Sequence, residues 1–343
     1  MKIKIITKAA GIRMAIFFGV LAIMLFVCYG CMLWMPGKSY KGELSPLTAP
    51  QQKATVSLQA DVEMLAKTIG HRNVLNSRNL ARTADYIEQE FTKAGYAVNR
   101  IGYKVDDVQC DNLEVQITGT TEPNEIVVIG AHYDSVLGSA GANDNASGVA
   151  ALLQLARTFA DKKPACTLRF VAFVNEEPPY FWTPQMGSLV YARHCKQRGD
   201  NIVAMIAFDC LGCYFDEKGT QKYPFPFSLL YPSTGNFIGF VGNFSSRHLV
   251  RQVVGTFRST TQFPSQGAAM FEAIPGVGWS DQWSFWQCGY EGVMVTDTAL
   301  FRYAYYHKAE DTPDKIDYQR LARVITGIEN VINDLTAAKG SVK

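Results

Sequence analysis

The 343-residue sequence has almost no surplus of charge: 33 Lys and Arg face 31 Asp and Glu, for a formal net charge of +2. Nucleic-acid binding needs cations gathered into a patch or stripe, often with aromatics between them. Here the cations are scattered, so a nucleic-acid partner is excluded. There is no internal repeat and no low-complexity segment, which leaves one large α/β domain or two small ones for a chain of this length. Cysteine occurs eight times, but outside the apolar run that holds Cys28 and Cys31 no second Cys-x-x-Cys accompanies Cys210 and Cys213. Without one, a four-thiolate zinc site is excluded. The pair directly follows an apolar run and reads as buried thiols or a local disulfide rather than a redox centre.

Charge is missing altogether from Met14 to Met35, an uncharged run of 22 residues that follows Lys2, Lys4, Lys8 and Arg13. About 20 apolar residues span a bilayer, whereas a signal-peptide core is ~7–15 long. The sequence shows no clean small-x-small cleavage site before Met35, and the residues before Cys28 and Cys31 fit a lipoprotein site poorly. The expected organisation is a basic cytoplasmic segment 1–13, a transmembrane anchor 14–35, a polar Pro-bearing linker 36–55 and a globular domain 56–340. The basic flank places the N-terminus in the cytoplasm, and hence the domain on the periplasmic or extracellular side.

What is present is a recurring unit. Ile126–Ile129 is an apolar run suited to a strand buried on both faces, and it ends in His132-Tyr133-Asp134. A Gly/Ser/Ala-rich loop leads to Asp144-Asn145-Ala146-Ser147-Gly148, after which Val149, Leu152, Leu153 and Ala156 follow a helical period. Thr167–Val174 repeats the pattern and ends in Asn175-Glu176-Glu177; Ile202–Phe208 ends in Asp209. Strands alternating with helices predict a largely parallel sheet covered by helices, with ligands bound at the C-terminal strand ends. Several carboxylates and a His brought to one such edge point to a metal site, because unpaired buried carboxylates are very costly. Taken singly, each motif has a plainer reading. Glu176-Glu177 would be a solvated turn, Asp144-Asn145 a helix cap, and His307 a packed residue among Tyr303, Tyr305 and Tyr306.

Taken in order, His132-x-Asp134, Asp144-Asn-Ala-Ser-Gly148, Glu176-Glu177, Asp209 and His307 in His-Lys-Ala-Glu-Asp-Thr-Pro resemble the co-catalytic zinc exopeptidases of the M28 type, the aminopeptidase group. The resemblance covers roughly residues 56–338. It implies two zinc ions per chain: Asp144 bridging, His132 and Asp209 completing one site, and Glu177 and His307 completing the other. It also implies Glu176 as general base, Asp134 as the carboxylate orienting His132, and peptides as substrates cut at the N-terminus. Ser280-Asp281-Gln282 departs from the family's Ser-Asp-His tripeptide, so Asp281 is expected to fix a loop or meet a substrate amine. Pro178–Trp182, Phe215 and the Tyr cluster are expected to frame an apolar substrate pocket or simply to pack. Two other readings stay open. One is a single-zinc glutaminyl-peptide cyclotransferase, which Ala131–Ser135 and Trp182-x-Pro-Gln185 also resemble. The other is a non-catalytic receptor ectodomain.

Overall fold

The computed structural model describes residues 8–338. Lys2 and Lys4 of the basic segment, and Lys339 and Gly340 of the expected domain, lie outside them. The first element is α1 (Lys8–Cys28), whose Ile12, Phe17, Ile23 and Phe26 are all exposed. Tyr29–Leu33 continues it as a wide helical turn. Helix α2 (Ala49–Val62) starts within the segment expected to be linker, ahead of the domain start expected at Val56. Thr48 and Gln51 cap each other reciprocally there, and Pro50 sits in the first turn, so the helix has a strong start with little apolar content. Helix α3 (Ser77–Lys93) ends at Gly95, whose φ of 96° lets the Tyr96 amide reach back to Phe91 O at 3.1 Å.

The remaining elements are β1 (Asn99–Val105), β2 (Val108–Ile117), β3 (Glu122–His132), α4 (Ser147–Phe159), β4 (Cys166–Phe173) and α5 (Gly187–Arg198). They continue with β5 (Asn201–Phe208), β6 (Ile238–Asn243), α6 (Arg247–Thr260), β7 (Ser265–Met270), α7 (Gln282–Gln287), β8 (Gly292–Thr296), α8 (Ala299–Arg302) and α9 (Tyr318–Leu335). The strands form one eight-stranded sheet in the order β1-β2-β4-β3-β5-β8-β6-β7. Four neighbouring strands, β4, β3, β5 and β8, run parallel; β1, β2 and the β6–β8 pairing add antiparallel edges. The sheet is mixed around a parallel centre, as expected.

The apolar runs explain that centre. Val127, Ile129 and Ala131 of β3 join a cluster with α2, α3, α4, α6 and α9, while Ile126 and Val128 join α5 and α7 on the opposite face. A strand buried on both faces has no polar side, so its sequence reads as continuous rather than alternating. The chain leaves β3 through α4 to β4 on one side, then returns through α5 to β5 on the other. Strand order therefore reverses at β3, and a crevice opens at the C-terminal ends of β3, β4 and β5, where ligands bind in open α/β sheets. Strand β7 (SQGAAM) was not anticipated, because its small residues carry no apolar period.

Candidate metal centre

The fold delivers five segments to one place. His132 ends β3 and is buried, with Tyr133 and Asp134 following. The chain beyond β4 carries Glu176 and Glu177, and Asp209 follows β5. The loop before α4 brings Asp144, and the segment after α8 brings His307. All seven residues singled out in the sequence meet here.

The donors form two groups with one member in common. His132, Asp144 and Asp209 make the first; Asp144, Glu177 and His307 make the second; in each group, ligand atoms all lie within 4.8 Å of one another. Asp144 faces both groups with different oxygens. Its Oδ1 is 3.4 Å from His132 Nε2, and its Oδ2 is 3.1 Å from His307 Nε2. Glu177 Oε2 is 3.2 Å from His307 Nε2, and Asp209 Oδ2 is 3.9 Å from His132 Nε2. Glu176 belongs to neither group, although its Oε2 lies 3.9 Å from His132 Nε2.

Electrostatics marks the place as one built for cations. Burial pushes the Glu176 carboxyl well above its usual range; His132 opposes this, and Glu177 and Asp209 add to it. Burial and the charge of Asp144 push Glu177 up to about 7 and raise Asp209 as well. Burial also works against Asp144, yet the neighbouring His132 and His307 imidazoles hold that carboxyl below its usual range. Protons on the two imidazoles thus stand where positive charge is needed. Neither ring nitrogen of buried His132 has a hydrogen-bond partner. An orphaned imidazole among carboxylates, with no thiolate, fits zinc among the common metals.

A second layer holds these donors still. Asp134 Oδ1 accepts from the Glu176 amide at 3.1 Å and Oδ2 from the Glu177 amide at 3.0 Å, while Oδ1 also lies 3.5 Å from His132 Nδ1. One carboxylate therefore sets both the ring and the Glu-Glu backbone. Asp311 accepts from the amides of Asn143 and Asp144 at 2.8 and 3.1 Å, and from Tyr303 OH at 2.8 Å. Arg72 is fully buried and donates to five carbonyls: Tyr133 at 2.8 Å, Ala140 at 2.6 Å, Gly141 at 3.0 Å, and Leu65 and Gly70 both at 3.1 Å. It ties the end of β3 to the loop that presents Asp144. Neither Asp311 nor Arg72 was singled out in the sequence. Asp311 lies in the same short motif as His307, and that was a signal; Arg72 binds only backbone, and left none.

Asp281 is buried, and both its carboxylate oxygens lack a hydrogen-bond partner. It therefore does not fix a loop through its side chain, one of the two roles expected for it. Gln282, at the position of the family's His, donates instead to Val277 O at 3.0 Å. Beside Asp209 and Tyr306 lies an open apolar cavity of about 130 Å³, walled by Tyr231, Phe237, Met270 and Trp279 among others. Of the aromatics expected to frame a pocket, Tyr306 lines it; Phe215 and Pro178–Trp182 do not. Trp182 instead stacks on Phe181 and donates to Gly278 O at 3.0 Å.

Comparison with known proteins follows this geometry. The family model described as Peptidase family M28 matches residues 112–332. Protein YfbL of Escherichia coli (strain K12), itself uncharacterized, is 34% identical over 82% of this chain and 88% of its own length. A probable zinc metalloprotease of Pyricularia oryzae is 26% identical over 55% of this chain, which spans 43% of that relative. Among solved structures, the aminopeptidase of Aneurinibacillus sp. strain AM-1 superposes with a TM-score of 0.64 at 16% identity, over 84% of this chain and 96% of that one. The glutaminyl cyclase of Fimbriiglobus ruber gives 0.60 at 18% identity, over 86% and 97%.

Proposed function

The chain belongs to peptidase family M28 and is a zinc peptidase, and from that premise we propose that it is a membrane-anchored aminopeptidase working with two zinc ions and Glu176 as general base. The observation that carries this reading is the pair of donor groups sharing Asp144 while leaving Glu176 free. His132 and Asp209 would hold one ion, Glu177 and His307 the other, and Asp144 both. Zinc, when bound, supplies Lewis acidity for the scissile carbonyl and for the attacking water. The protein's own groups do the rest. Glu176 takes the proton from water and returns it to the leaving amine. Asp134 keeps the Glu176–Glu177 backbone and the His132 ring in register, as carboxylates beside ligating imidazoles do. The cavity beside Asp209 receives an apolar side chain of the substrate. Helix α1, with the turn that continues it, is the anchor: an 18-residue stretch within Ala9–Leu33 has a mean hydropathy of 2.5 and is only 6% buried. In this reading the domain faces the extracytoplasmic side.

The second reading is a glutaminyl-peptide cyclotransferase with one zinc, supported by the cyclase fold match and by Trp182-x-Pro-Gln185. Metal content and activity, measured on wild type beside Glu176→Gln, separate the two. Two zincs per chain are expected, with release of N-terminal apolar residues from aminoacyl substrates. The variant should keep its metal and lose about 10²–10⁴-fold in kcat, the usual worth of a positioned proton shuttle. One zinc with pyroglutamate formation from an N-terminal Gln peptide would install the cyclase. Cleavage only at the C-terminus of a blocked peptide would retain the machinery and replace the substrate class.

A further inference from the structure

Helix α1 does not run into a loose tether. Met32 and Met35 at its end are buried, Met32 among Ala268, Met270 and Val277, and Met35 in the main core. Arg251 of α6 donates to Gly30 O at 2.6 Å and Cys31 O at 3.1 Å, and its guanidinium sits 5.4 Å over the Trp34 ring. Arg258 donates to Pro36 O and Gly37 O at 3.1 and 3.3 Å, and the Ser265 amide donates to Ser39 Oγ at 2.9 Å. At Gly267 an added Cβ would lie 3.0 Å from Met35 Cγ, so the strand lacks a side chain where the juxtamembrane segment crosses it. The segment thereby covers β7, an edge strand of the sheet.

The surface around this exit is apolar and open. Phe227 and Tyr231 pack in the same cluster as Cys31, Met32 and Leu33. Phe225, Leu229 and Leu230, interleaved with them in sequence, are 84%, 76% and 54% exposed. Just beyond β7, Phe271 is exposed and stacks on Phe244, which carries the Arg247 guanidinium at 4.9 Å. Soluble surfaces rarely gather such residues without a partner. Aromatics mixed with Arg beside an apolar helix are the composition of the bilayer interface, where rings lie at headgroup level and cations meet anionic lipid.

We propose that the Tyr223–Tyr231 loop and the Phe244–Phe271 pair rest in the lipid headgroup layer, so that the peptidase domain lies on the bilayer in a fixed pose. The proposal rests on the reading of α1 as an anchor. The same loop supplies Tyr231 and Phe227 to the cavity beside Asp209. The cavity therefore borders the lipid contact, and the substrate class becomes peptides whose N-terminal apolar side chains already lie at the bilayer surface.

The test uses the full chain in vesicles of phosphatidylethanolamine and phosphatidylglycerol, with and without brominated acyl chains, which quench nearby indoles. Leu229→Trp is compared with Lys104→Trp on β1, at the far edge of the sheet. Both positions are exposed, and retained peptidase activity verifies their folding. Quenching by brominated lipid, beyond that of the native tryptophans, is expected to be at least twofold larger for Leu229→Trp. Equal quenching at the two positions would overturn the proposal. Carbonate extraction at alkaline pH tests the anchor separately. If the chain stays with the membrane but quenching is equal, the anchor stands and the docking falls. If the chain washes free, the anchor falls, and flotation of the released protein with the same vesicles decides the docking. Binding lost in Phe225→Ser/Leu229→Ser/Leu230→Ser keeps the docking; no binding, or binding the triple variant retains, ends it.

Discussion

Asp134 touches His132 through one oxygen and accepts from the Glu176 and Glu177 amides through both. Replacing it with Ala leaves two buried amides unpaired and one imidazole unoriented. Each orphaned donor costs about 1–3 kcal/mol, and loss of such an orienting carboxylate weakens metal binding about 10–100-fold. Asp134→Ala is therefore expected to melt at lower temperature and to lose zinc to a competing chelator at lower concentration; titration with a zinc dye reads the second effect. At this scale the sequence was most legible where titratable side chains gather. His132, Asp144, Glu176, Glu177, Asp209 and His307 are acids and imidazoles at the ends of apolar runs, a combination a core does not tolerate without a reason. Arg72 was illegible because its five partners are carbonyls, and backbone atoms leave no trace in a sequence.

Periodicity decided which elements could be read. Helix α9 (Tyr318–Leu335) buries Leu321, Ile325, Ile328 and Ile332 at helical spacing, and Leu80, Ile87 and Phe91 of α3 all face the core. Strand β7 has Gly and Ala where packing partners supply the bulk, so no period shows. Helix α2 was read late because its start lies in capping chemistry rather than in apolar residues. The junction of β4 with α5 shows how one glycine joins two elements. Asn112 of β2 accepts from the Val174 amide at 3.1 Å and donates to Gly187 O at 2.8 Å. A Cβ on Gly187 would stand 2.0 Å from Val174 O and 2.6 Å from Asn112 Oδ1. Gly187→Ala must push α5 away from the strand end that carries Glu176. We expect a loss of about 1–3 kcal/mol, as for other overpacked sites, seen as a lower urea midpoint. A fall in kcat should accompany it, because the Glu-Glu pair moves with Val174.

Across the whole molecule, the described cysteines Cys31, Cys110, Cys166, Cys195, Cys210, Cys213 and Cys288 are all free. Cys210 and Cys213 are buried thiols, one of the two states expected for them, and burial raises both above their usual range. Thiols held in that form are poor nucleophiles. A phosphine reductant that spares zinc should leave both Tm and activity unchanged, whereas a drop of several degrees would reveal a cross-link. The sheet with its parallel centre was legible from three apolar runs; the seating on β7 of the segment that follows α1 was not, since Met32 and Met35 look in sequence like the tail of the greasy run. One further consequence belongs to Arg72. A zinc ion can be dialysed away, but a guanidinium threaded among the carbonyls of Tyr133, Ala140 and Gly141 is covalently part of the chain. The cradle for the metal is thus built around a charge of the chain's own. The tie between the end of β3 and the loop that presents Asp144 therefore belongs to the chain itself, and no chelator removes it.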